Sequence, residues 1–164
     1  MAIEFIIEDG TGKTDSTSYV EILEFKQYFE NRGKTFTETD DIISTWLNDA
    51  SNYADLNYNW GGLIFDEDQS LDVPRSNWYD KRGRDISESV PTELKNGVSE
   101  LAYARQGGSS EASVYENNLK SKNILGISKT YRGASQSDGK KTYPNANSWF
   151  SKLTMNNLSE RTCR

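Results

Sequence analysis

Apolar side chains recur at helical spacing along much of this chain. The densest run is Ile42, Ile43, Trp46, Leu47, Ala50, Tyr53 and Ala54, which predicts an amphipathic helix over 39–57. Thr37 or Thr39 can cap it, and Asp40 and Asp41 suit its positive N-terminal end. An earlier helix is predicted over 21–32. Ile22, Phe25 and Phe29 share one face there, with Leu23 and Tyr28 beside it. Ser18 and Glu21 have capping-box spacing, and Arg32-Gly33 is a stop signal. A third helix opens at Val90-Pro91 with Ser89 as its cap, and Leu94, Val98, Leu101, Ala102 and Arg105 define its face. It ends at the flexible joint Gln106-Gly107-Gly108-Ser109-Ser110. A short last helix over 145–154 carries Trp149, Phe150 and Leu153.

Alternation marks the extended pieces. Ile3, Phe5 and Ile7 alternate with Glu4, Ile6 and Glu8, predicting a short strand, and Leu63-Ile64-Phe65 reads as another. Residues 123–131 are strand-like, with Ile127, Lys129 and Tyr131 on one side. Between the helices lies Leu71-Asp72-Val73-Pro74-Arg75, then Trp78–Ile86. That segment reads as a proline-pinned stretch, an aromatic anchor, a Gly83 turn and a helix start. The expected fold is mainly α: a small helical bundle with an extended β-strand/hairpin arm and a C-terminal tail. Residues 1–108 would form the bundle with its N-terminal strand, and 109–164 the arm, short helix and tail. The expected core is Phe25, Phe29, Ile43, Trp46, Leu47, Tyr53, Leu94, Val98 and Leu101.

Composition narrows the function. The 164 residues are only 34% hydrophobic with mean hydropathy −0.81, so four Trp, nine Tyr and six Phe must supply much of the buried area. Net charge is −6 but unevenly spread: 1–80 hold 17 acids and 5 bases, 81–164 hold 8 and 14. Such halves can attract head to tail between copies, or remain two solvated surfaces. The single cysteine, Cys163, excludes an intrachain disulfide, and the absence of histidine removes a Cys/His zinc site and a His base. The acidic N-terminal stretch is unlike a signal peptide and no apolar run reaches membrane-spanning length, so synthesis in a cytoplasm is expected.

The motifs point away from catalysis. Gly12-Lys13-Thr14 follows a strand, but a phosphate loop needs glycine where Ile7 stands. Asp66, Asp68, Ser70 and Asp72 alternate like a calcium loop, but Leu71 and Asn77 occupy the positions that need Gly and Glu. A solvated acidic turn accounts for them. No catalytic, cofactor or metal residues are therefore expected. Lys81, Arg82 and Arg84, with Trp78 and Tyr79, can contact a nucleic-acid backbone and stack on bases; the plainer reading is a solvated turn with a buried aromatic anchor.

The order of segments resembles the head–tail connector proteins of tailed phages, also called adaptor or head-completion proteins. The same sequence group carries the label DnaT-like single-stranded DNA-binding protein. The resemblance runs loosely over 17–155. It rests on Thr17-Ser18-Tyr19-Val20, Tyr28-Phe29, Arg32-Gly33, the aromatic second helix, Val73-Pro74-Arg75, Asp80, Gly83-Arg84, Ile86, Val90–Leu94, Leu101–Ala104, Lys122–Tyr131 and Trp149–Leu153. Val73 replaces a Trp common in that group, and Gly126-Ile127 replaces its Gly-Pro turn.

The resemblance implies a virion protein at the head–tail interface, made in the host cytoplasm. It would form a ring, twelve-fold in the family, beneath the portal protein. It would extend the channel for genomic DNA and dock the next tail, stopper or nozzle component, with no membrane partner. Candidate contacts with neighbouring copies or the portal are Ile124, Ile127, Tyr131, Trp149, Phe150 and Leu153. The alternative is a single-stranded DNA-binding accessory protein using Trp78, Tyr79, Lys81, Arg82 and Arg84.

Overall fold

The computed structural model describes residues 4–106, 113–114, 121–124, 127–130 and 141–154. Four helices dominate: α1 (Ile22–Glu30), α2 (Asp40–Asn57), α3 (Thr92–Gln106) and α4 (Pro144–Phe150). Three antiparallel ladders accompany them. β1 (Leu63–Ile64) pairs with β2 (Arg75–Ser76), β3 (Ser113–Val114) with β6 (Lys141–Thr142), and β4 (Ser121–Ile124) with β5 (Ile127–Thr130). The expected mainly helical class is therefore the observed one. In the arm, Ser121 faces Thr130 and Ile124 faces Ile127, so the strand expected over 123–131 is a hairpin. Tyr131 and the glycine joint at 107–110 lie outside the described residues.

α3 is the central helix. It packs chiefly on α2 and α4 and more lightly on α1. Leu94, Val98, Leu101 and Ala102 are buried along it, as their spacing requires. Of the expected core, Phe25, Phe29, Ile43, Leu47, Leu94, Val98 and Leu101 are buried, while Trp46 and Tyr53 pack only partly. Tyr143, Ala146, Phe150 and Leu153 belong to the same core, so α4 from the expected second unit completes the bundle of the first. Gly97 makes this possible: a Cβ there would stand 2.3 Å from Phe150 Cε1.

Several local expectations change. The N-cap of α1 is Glu21, reciprocally bonded with Glu24, while Ser18 Oγ turns to the Val20 backbone. The strand expected over 3–8 does not form over the described residues 4–8, which make one isolated parallel bridge, Ile7 to Ser18, with backbone bonds from Thr17 and Ser18 to the Ile6 carbonyl and from Glu8 to the Ser18 carbonyl. Ser89 does not cap α3. Its hydroxyl donates to the Ile86 carbonyl, and the Pro91 carbonyl accepts the first helical bonds, from Leu94 and Lys95.

The Gly12-Lys13-Thr14 loop has a physical explanation. Glu8 is buried, and its carboxylate accepts hydrogen bonds from the N–H groups of Gly10, Gly12 and Lys13 and from the Ser16 hydroxyl, at 2.9–3.1 Å. The backbone donors that a phosphate loop would aim at a nucleotide are turned onto the chain's own carboxylate. Ser16 and Ser70 then tie this loop to the segment that joins α2 to α3. In the acidic stretch, Asp66 accepts from the Asp68 N–H and closes a local turn.

Candidate nucleic-acid interface

The connector after α2 carries Trp78, the anchor legible in the sequence. Its side chain is completely buried beside Trp60, and its indole N–H donates to the Leu153 carbonyl at 3.2 Å. The next turn is built on Asp80. That carboxylate accepts from the Arg82 and Arg84 N–H groups and from the Arg84 guanidinium, and Gly83 (φ 78°) closes the turn onto the Asp80 carbonyl. Burial pushes the Asp80 carboxyl up, but the bonds from Arg84 and Arg82 outweigh it and hold it below its ordinary value. The turn also reaches α4, where the Lys81 N–H donates to the Lys152 carbonyl at 3.2 Å. Trp78 and Lys81 thus satisfy carbonyls just beyond a helix C-terminus, groups that lack partners within the helix.

This clamp brings together two sets of residues that are some seventy positions apart in sequence. Lys81 and Arg82 are exposed beside the α4 terminus. Trp149 and Lys152 line an open cleft of about 350 Å³ with Tyr28, Arg32, Glu100, Asn145 and Ser148. Lys152 Nζ lies 4.0 Å from the Trp149 ring centre, and the Arg32 guanidinium lies 3.5 Å from that of Tyr28. Arg32 also donates to the Tyr28 carbonyl at 2.6 Å. Among the described residues, Arg32, Lys81, Arg82 and Lys152 form no ion pair with a carboxylate.

Two acids stand near this cationic rim: Glu93, whose carboxyl feels the Lys152 charge, and Glu100 in the cleft wall. Glu100 is buried, and its Oε1 accepts the Tyr28 hydroxyl at 2.7 Å. Burial pushes the Tyr28 phenol well up, and the bond to Glu100 and its charge add to the shift. Tyr28 is therefore a neutral donor to Glu100.

The expected site residues sort clearly. Trp78 is core and presents no face to a base. Tyr79 is 58% exposed and can stack. Arg84 is accessible but engaged by Asp80 and Glu93, both at 2.7 Å. Phe150 and Leu153, expected at an interface between molecules, are buried within this one; Trp149 is half-buried at the cleft. The side chains of Ile124 and Ile127, like the whole of Tyr131, lie outside the described residues. Sequence reading missed Arg32 and Lys152 as cleft residues. Arg32 reads as a helix stop, and only the docking of α4 on α3 brings Lys152 near it. Among the described residues no group of three metal-ligating side chains converges, and no helix is long and apolar enough to cross a membrane.

The chain is a small, mainly helical protein whose cleft sets aromatic rings beside cations that form no ion pair among the described residues. Residues 3–164 match the family described as "Putative DnaT-like ssDNA binding protein", and the chain belongs to that family. Neither the curated proteins nor the solved structures contain a match.

Proposed function

We propose that this protein binds single-stranded DNA without catalysing a reaction on it. The observation that carries the reading is the surface around the end of α4, where the Trp149 cleft lies between Arg32 and Lys152, with Lys81 and Arg82 beyond. Unpaired cations take phosphates, and a partly exposed indole supplies a stacking face that serves any base. The family's description supports the same activity. The acidic remainder of the surface would keep affinity modest, and contact with the strand would centre on this patch. Fluorescence anisotropy with a labelled 15-nucleotide single strand at low salt tests the proposal. Trp149→Ala should weaken binding by roughly 1–3 kcal/mol, the range for one stacked base. Wild-type protein that fails to bind at low salt would overturn it.

A head–tail adaptor is the second reading. The exposed edge Leu63, Ile64 and Phe65 favours it, because contiguous apolar side chains on a surface mark a docking site. In that reading the partners are a portal protein, a tail component and further copies of the chain, and the site of action is the virion. Co-sedimentation with a portal ring at one subunit per portal subunit is the expected result, and Ile64→Asp should abolish it. Loss of neither binding nor stoichiometry in that variant would remove the support this edge gives.

A further inference from the structure

We propose that the Trp149 cleft selects a base carrying an exocyclic amino group, and so prefers cytosine to thymine or uracil. This deepens the single-strand reading and rests on it. Glu100 forms part of the cleft wall, 8% exposed, and its carboxylate oxygens serve as hydrogen-bond acceptors. Its Oε1 takes the Tyr28 hydroxyl, which fixes the carboxylate's orientation. Among the described residues no cation pairs with it, since Arg32 lies over the Tyr28 ring and Lys152 over Trp149. The cleft therefore offers an acceptor within it, an indole on its wall and cations at its mouth. A nucleotide carries the complementary set: a donor on the base edge, a flat ring and a phosphate.

The volume fits one such unit. About 350 Å³ lies at the small end of ligand clefts, sufficient for a single base and its sugar. A carboxylate accepts from the cytosine N4 amine, whereas the O4 of thymine or uracil would set acceptor against acceptor. Thymine and uracil can reach the Glu100 carboxylate only through N3–H, which leaves O4 beside it without a donor, and that unpaired O4 is where discrimination between bases arises. Adenine and guanine carry the same kind of donor, so the selection is against the 4-keto pyrimidines. Tyr28 is a positioning residue in this scheme, because it acts through Glu100.

The test uses the intact protein and 15-nucleotide oligo(dC), oligo(dU) and oligo(dC) dimethylated at N4, all at pH 8 and one fixed salt concentration. Oligo(dU) removes the thymine methyl as a second variable. The expected result is about ten-fold tighter binding of oligo(dC) than of oligo(dU), with the dimethylated strand as weak as oligo(dU). Glu100→Gln, which can donate as well as accept, should bring the dC/dU ratio close to one. The dimethylated strand makes the same point without altering the protein, should that variant fold poorly. Equal binding of oligo(dC) and oligo(dU) would overturn the base selection and leave single-strand binding standing. A preference that survives both Glu100→Gln and N4 dimethylation would place its source elsewhere and equally overturn it. Failure to bind any of the strands would overturn the single-strand reading itself.

Discussion

Gly97 is the point at which the α3–α4 packing can be tested most sharply. It sits inside α3, where glycine costs about 1 kcal/mol relative to alanine. On helix propensity alone, Gly97→Ala should stabilise the protein by that amount. The packing argues the reverse. The new methyl would stand 2.3, 2.6 and 2.9 Å from Phe150 Cε1, Cδ1 and Cζ, well inside the 3.5–4.0 Å of a favourable carbon contact. The Phe150 ring has little room to swing away, since it is completely buried with the Tyr58 ring centre at 4.6 Å and that of Trp60 at 5.3 Å. Overpacking of this kind costs about 1–3 kcal/mol, and these distances put it at the upper end. Set against the propensity gain, the net loss is about 2 kcal/mol. With a urea m-value of about 2 kcal/mol/M, the midpoint should fall by roughly 1 M. Phe150→Ala supplies the control: in that background the clash is gone, and Gly97→Ala should be neutral or stabilising by up to about 1 kcal/mol. A single Gly97→Ala variant with a raised midpoint would refute the close approach of α4 to α3.

Two further perturbations probe the parts that hold this frame. Glu8→Ala leaves three N–H groups and a hydroxyl without their acceptor and should cost about 3 kcal/mol, seen as a fall in Tm of roughly 10 °C; an unchanged Tm would show that water replaces the carboxylate at no cost. Burial pushes the Asp55 carboxyl from 3.8 up to about 6, against the bonds it accepts from the Asp72 N–H, the Trp60 indole and the Tyr19 hydroxyl. The native state therefore binds this proton more tightly than the unfolded state, so the stability it contributes is complete below about pH 4 and is lost as pH rises through 6. Relative to Asp55→Asn, the wild-type protein should lose about 2 kcal/mol between pH 4 and 7 in urea titrations, and parallel pH profiles would contradict this.

The helices were legible because each buries one stripe, and Phe25 with Phe29, Ile43 with Leu47, and Leu94 with Val98 mark those stripes at helical spacing. Trp78 was legible as an anchor, though not as a donor to a carbonyl 75 residues away. The cleft was not legible. Arg32, Glu100 and Lys152 lie on three segments, and their meeting depends on α4 seating against Gly97, a tertiary event that no local pattern encodes. Glu8 shows the same limit. Its place in an alternating run suggests an outward carboxylate, yet the turn of residues 9–16 folds back over it and supplies enough donors to bury it.

Salt dependence separates the two contributions that the cleft combines. If Arg32, Lys81, Arg82 and Lys152 each neutralise one phosphate of a single strand, log affinity should fall against log salt with a slope of about −3. Raising salt from 50 to 200 mM would then weaken binding roughly fifty-fold. Lys152→Ala should reduce the steepness by about 0.7, because one fewer counterion is released. Trp149→Ala should weaken binding at every salt concentration and leave the slope unchanged, because stacking releases no counterions. The acidic side chains elsewhere on the chain lower the affinity without adding released counterions, so a protein of net charge −6 can still show this slope. A wild-type slope near zero with measurable affinity would mean that the four cations do not meet phosphates and would sink the assignment of the strand to this surface. A steep slope that Lys152→Ala leaves untouched would move the phosphate contacts away from the end of α4, and the stacking role of Trp149 would fall with them.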